Sequence, residues 1–125
     1  MGTALTTNEQ STEFSAMAKQ TGATTTADRD IFASGAGSVK VIHVQNTDGS
    51  TIHFLKIYDD KDPVNGTDLP IFVMQVGTST SSTVFCNPGI VCSTGVSVIG
   101  STSGGTAAGS DPGDLELPYT IYGGA

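Results

Sequence analysis

Tryptophan is absent from this 125-residue chain, Lys and Arg together number five, and charged residues of both signs make up only 14% of it. Set against twelve Asp and Glu, the basic residues leave a formal charge of −7. No basic face is then available to neutralise phosphates, and nucleic acid is not an expected partner. No apolar run approaches the ~20 residues that cross a bilayer, and the first residues lack the basic-then-apolar order of a secretory signal. No membrane association is expected. Missing indoles weaken a sugar-stacking platform without excluding one. Cysteine is confined to Cys86 and Cys92, whose spacing matches neither a redox dithiol nor a zinc motif.

Glycine is plentiful at 16 residues, and Ser plus Thr supply about a quarter of the chain, a composition that favours short strands joined by many turns over a helical bundle. The length suits one domain with a core large enough to need no metal or disulfide staple. Residues 1–29 are dominated by Thr, Ser, Ala and Gln, with Phe14 and Met17 among their few large apolar residues. This stretch reads as a flexible arm, in which residues 13–18 suit a short edge strand or a helical turn. The domain proper is expected over residues 30–125.

Val39, Val41, Ile42 and Val44 place β-branched residues on a strand over 38–46. Asp48-Gly49 then gives the tight-hairpin signal, and 51–58 reads as the paired return strand. A polar connector over 59–68 precedes an apolar strand ending at Val76, in which Pro70 belongs at the start or at an edge. Short strands over 83–86, 90–92 and 96–99 follow, with Asn87-Pro88-Gly89 as a turn that reverses the chain. A loop over 101–113, a closing strand over 115–122 and a Gly123-Gly124-Ala125 tail complete the pattern. The fold expected is all-β: an antiparallel β-sandwich or jelly roll of about eight strands with an extended N-terminal arm.

Catalytic groupings are hard to assemble. No Gly-x-Ser-x-Gly elbow occurs, and Gly35-Ala36-Gly37-Ser38 has the wrong spacing for one. His43 and His53 flank the Asp48-Gly49 turn and, as hairpin neighbours, form a cross-strand polar pair with no third ligand for zinc at a recognised spacing. Asp59, Asp60, Asp62, Asn65 and Asp68 gather oxygen ligands in loop 59–68, but Val64 falls where calcium wants a third one. That loop reads as solvated. Cys86 and Cys92 flank the Asn87-Pro88-Gly89 turn: a two-residue loop sends their side chains to opposite faces, whereas a three-residue loop sets them directly opposite for a disulfide. A reducing cytosol favours two thiols. No catalytic residue, cofactor or metal is expected.

Phe54-Leu55-Lys56-Ile57-Tyr58-Asp59, then Pro63 followed by Gly66-Thr67-Asp68 and Pro70, then Asn87-Pro88-Gly89-Ile90, and Gly95-Val96 ahead of Val98, form a recurring order. Over roughly residues 38–122 this resembles small virion proteins of tailed bacteriophages, in which a Lys-apolar-Tyr-Asp strand is followed by a Gly-Thr-Asp-x-Pro loop and a Pro-Gly turn. The resemblance implies a non-enzymatic β-sandwich component of the particle. The leading expectation is a capsid decoration or cement protein, made in the host cytoplasm and placed on the head surface. It would be a homotrimer bridging the major capsid protein, with Phe14 and Met17 anchoring the arm on a neighbour. A receptor- or glycan-binding tip using loops 59–68 and 101–113, or a tail connector, is the alternative. A hydrolase has the least support and would lose turnover on replacement of His43 or His53.

Overall fold

A computed structural model describes residues 16–20, 31–32, 35–109 and 117–124. Seven strands run through them: β1 (Ala16–Gln20), β2 (Gly37–Asn46), β3 (His53–Asp59), β4 (Phe72–Val76), β5 (Thr80–Cys92), β6 (Val96–Ser101) and β7 (Tyr119–Gly124). No helix occurs among the described residues. One sheet has the order β1-β7-β2-β5 and the other β4-β3-β6, and all pairings are antiparallel. Without β1, each sheet has three strands. β1 then extends the first sheet by pairing with β7 along Ala16↔Gly123 to Gln20↔Tyr119, so of residues 13–18, expected as an edge strand or a helical turn, 16–18 lie in an edge strand and 13–15 lie outside the described residues.

Alternation builds the core. From the first sheet Val39, Ile42, Val44, Tyr119 and Ile121 face inward, and from the second Leu55, Ile57, Met74, Val76, Val96 and Val98 meet them in one buried cluster. Side chains at every second strand position line one face, so these two inward sets form a sandwich. Leu117 and Cys92 complete the cluster, with Val84, Cys86 and Ile90 of β5 packed against it.

The expected hairpin between β2 and β3 does not form. These strands lie in different sheets, and Asp48-Gly49 belongs to an arch that carries the chain across the sandwich. The cause is local. Asn46, fully buried at the end of β2, donates from Nδ2 to the carbonyls of Thr51 (2.9 Å) and Val76 (3.1 Å), while its Oδ1 accepts the Asp48 N–H at 2.9 Å. Asp48 Oδ1 accepts from the Ser50 N–H, and Asp48 Oδ2 meets His53 Nε2 at 3.0 Å. Side-chain bonds to nearby backbone thus replace the ladder bonds of a hairpin turn. The β4–β5 connection crosses beside it, tied in by the Ser79 N–H donating to the Asp48 carbonyl at 3.0 Å.

Three further expectations are corrected. Asn87-Pro88-Gly89 does not reverse the chain: β5 runs on as one strand from Thr80 to Cys92, so seven strands stand where about eight were expected. Pairing of Val41 with Phe85 and of Val39 with Ile90 leaves four residues of β5 opposite Lys40, a bulge that contains the cis Asn87–Pro88 bond. Proline is tolerated there because β5 is an edge strand, whose outer N–H groups need no ladder partner. Gly123 and Gly124, expected in the tail, instead belong to β7 and are buried. Gly123 lies so close to β2 that a Cβ would run into the Ser38 carbonyl.

Backbone packing of this kind gives a direct test. Replacing Gly123→Ala forces β7 away from β2 and is expected to lower stability by about 1–3 kcal/mol, the usual cost of overpacking, as read from chemical denaturation. The same change at Gly105, where a Cβ meets nothing within 4 Å, involves no such collision, although its positive φ of 63° carries a smaller strain of its own.

Candidate interaction surfaces

The outward face of the four-stranded sheet carries the most exposed apolar side chains on the strands. Phe85 on β5 is 77% exposed and Val91 75%. Val41 on β2 is registered between Phe85 and Tyr122, so one row across three strands reads Phe85, Val41, Tyr122. Directly opposed residues of antiparallel strands share a face, which makes this row a continuous strip. At its far end the backbone of Met17 occupies the position opposite Tyr122. Phe14, the other expected anchor, lies outside the described residues, as do most of residues 1–29.

Two residues along, on the same face, His43 is opposite Thr83, and His43 Nδ1 and Thr83 Oγ1 are 2.8 Å apart. His53 sits in the other sheet, with its ring buried and Nδ1 lacking any partner. The expected His43–His53 pair therefore does not exist, because it depended on a hairpin that the arch replaces. His53 with Asp48 has the composition of a base and its orienting carboxylate. Its imidazole is enclosed, however, and the bond serves the arch.

Both thiols are free. Cys86 and Cys92 follow one another along a single strand, so the three-residue turn that would oppose them for a disulfide does not form. Burial, together with the nearby Asp59 charge, pushes the Cys92 thiol up to about 11, and burial raises Cys86 as well. Protonated thiols are poor nucleophiles and poor metal ligands at neutral pH. Among the described residues no three His, Cys, Asp or Glu side chains converge as a metal site.

The other sheet presents a second surface, because its outer face is roofed by loops. Lys56 points outward from β3 yet is 0% exposed, since loop 59–68 and the segment after β6 close over it. Its Nζ donates to Asn65 Oδ1 (3.1 Å) and to the Ala107 carbonyl (2.7 Å), while Asn65 Nδ2 donates to the Ala108 carbonyl at 2.8 Å. Ser101 Oγ reaches the same Ala108 carbonyl. Burial lowers the Lys56 pKa. Val64, Leu69 and Ile71 stand exposed around this clasp. Asp59, at the end of β3, accepts the Ser93, Thr94 and Gly95 N–H groups of the β5–β6 turn, and these bonds hold its pKa below the usual range. Asp60 Oδ1 accepts the Asp62 N–H and Asp68 Oδ2 the Val64 N–H, so these carboxylates are engaged in shaping the loop.

Some of this was beyond the sequence pattern. The Lys56 clasp joins residues 51 positions apart, and nothing in local alternation announces such a contact. The exposed row on the first sheet follows from β2 being paired on both sides, which periodicity does not reveal. Alternation through Val84-Phe85-Cys86 does mark Phe85 as facing away from its neighbours. No protein-family model matches the chain, and no curated protein matches it.

Two outcomes follow. Lys56→Met keeps the stem but strands the Ala107 carbonyl and Asn65 Oδ1, and is expected to cost about 1–3 kcal/mol. Hydrogen exchange should accelerate around Asn65 and Ala107 while the Val39 and Ile42 amides stay protected. Asp48 is held at about 2, against 3.8 for a free side chain, chiefly by the Ser50 N–H and then by His53. A depressed carboxylate stabilises the fold above its unfolded pKa and loses that contribution as pH falls through the folded value. Asp48→Asn is therefore expected to lower stability near neutrality and to flatten the acid limb between 3.8 and about 2, measured as denaturation midpoint against pH.

Proposed function

We propose that the protein is a non-enzymatic virion component: a capsid decoration, or cement, protein that binds the outer shell of a tailed-phage head and stabilises it. The observation that carries this reading is the apolar strip Phe85, Val41 and Tyr122 on the outward face of the four-stranded sheet, ending beside the arm strand β1. An acidic chain that keeps such a strip in water has a surface suited to burial against a larger partner. A partner that binds the assembled lattice and not its dispersed subunits shifts assembly by mass action, and no chemistry is required. β1 pairs with β7 of its own chain and so stands at the edge of the sheet, where a partner's extended segment can add main-chain pairing. On this reading the sandwich is of the jelly-roll kind and the major capsid protein is the partner.

A second reading has its own support. Loops 59–68 and 101–109 are drawn together over Lys56, with Val64, Leu69 and Ile71 exposed around the clasp. Pinned loops on a rigid sheet are the common site of receptor or glycan contacts. This would place the protein in the tail, as a receptor-binding tip or a connector.

Mixing the purified protein with empty heads separates the two. Cement binds saturably, raises the melting temperature of the shell, and weakens by about tenfold or more on Tyr122→Lys or on deletion of residues 1–20, since centrally buried aromatic and strand contacts dominate such interfaces. Binding to host cells or glycans that is lost on Asn65→Ala, with no binding to heads, would refute the cement reading and support the tail one.

A further inference from the structure

We propose that β5 is a self-association edge: it pairs antiparallel with β5 of a second copy and joins the two four-stranded sheets into one continuous sheet. Among the described residues β2 is the only strand beside β5, so alternate N–H and C=O groups along Thr80–Cys92 face away from the sheet with no ladder partner. Unpaired edges of soluble proteins are ordinarily blunted by charged side chains, proline, covering loops or short length. This one is 13 residues long and contains no Asp, Glu, Lys or Arg. Its one interruption, the bulge over Cys86 to Gly89, lies toward the far end and leaves Thr80–Phe85 regular.

The other edges are treated differently. β1 carries Lys19 and is five residues long, and β4 is equally short. Every residue of β6 is buried. Among the described strands only β5 combines length, absence of charge and exposure.

A second copy suits this edge better than a charged partner does. On a chain of net charge −7 the uncharged edge is where two copies can meet without opposing carboxylates. Antiparallel pairing also sends the two Asp48 arches, which adjoin the start of β5, to opposite ends of the contact. Facing rules then limit the register. Ser82, Val84 and Cys86 face inward, while Ser81, Thr83 and Phe85 face outward, and paired residues must share a face if both cores lie on the same side. A two-fold axis at Thr83 meets this condition. It sets Phe85 of each copy opposite Ser81 of the other and covers a side chain otherwise 77% exposed. One patch that complements itself about a two-fold is the commonest route to a soluble oligomer.

Light scattering on the full chain across a concentration series tests this without any shell present, so failure to bind heads leaves it standing. The expected result is a dimer whose dissociation constant rises by at least ~tenfold in Phe85→Lys and in Ser81→Lys, with unchanged circular dichroism. Val64→Lys, in loop 59–68 over the opposite sheet, should remain dimeric. A monomer at every concentration overturns the proposal. So does the trimer that the phage resemblance implies, or a dimer indifferent to both β5 substitutions.

Discussion

The arrangement depends on a buried amide at the point where the chain leaves its first sheet. Asn46 has no exposure, and it spends its side chain on the Thr51 carbonyl, the Val76 carbonyl and the Asp48 N–H. One of those partners belongs to β4, across the sandwich. Asn46 therefore fixes the spacing between the sheets as well as the path of the arch. Leaving such groups unsatisfied in the interior would cost more than an ordinary exposed hydrogen bond contributes, so the arch is specified by polar satisfaction as much as by apolar packing.

Crossing at this point determines what each sheet can display. Because β3 leaves β2, β2 is free to take β7 on one side and β5 on the other, and the Val41 row acquires aromatic neighbours from both. At the opposite end Asp59 performs a related task, gathering three consecutive N–H groups so that β5 can hand the chain to β6 in the other sheet. Two carboxylates, Asp48 and Asp59, thus act as fixed acceptors at turns where the chain changes sheets. Both have depressed pKa values for the same reason, hydrogen bonds offered to the ionised form. Their acidity is a by-product of topology.

Strand existence was legible from local composition, and strand pairing was not. Val39, Ile42 and Val44 announce β2 by alternation, and Leu55 and Ile57 do the same for β3. Asp48-Gly49 between them has the composition of a hairpin turn. The decision against one rests with Asn46, one of whose bonds needs the Val76 carbonyl of β4 in place, and with His53, which meets Asp48 within the arch. At Asn87-Pro88-Gly89 the local signal for a turn is genuine, but a bulge at a sheet edge requires the same residues. Glycines 123 and 124 look like a tail because nothing in the sequence shows that Ser38 will press against them. At Asn46 and at Gly123 a contact between residues distant in sequence adds to or overrides the local preference.

The same separation governs the surfaces. A roofed sheet and an open sheet arise from one chain because loop 59–68 and the stretch 102–109 after β6 fall on the same side, where Lys56 fastens them. The first sheet has no equivalent cover among the described residues, and its outer face and β5 edge are left to whatever the protein binds. Edge and face make different physical demands. An edge is satisfied by another strand, which supplies directional backbone bonds and fixes register, whereas an apolar face is satisfied by area and shape. Pairing of β5 with its copy would therefore take up the Phe85 end of the strip and leave the Tyr122 end open next to β1, so on the proposed reading self-association and attachment to a shell divide the strip between them.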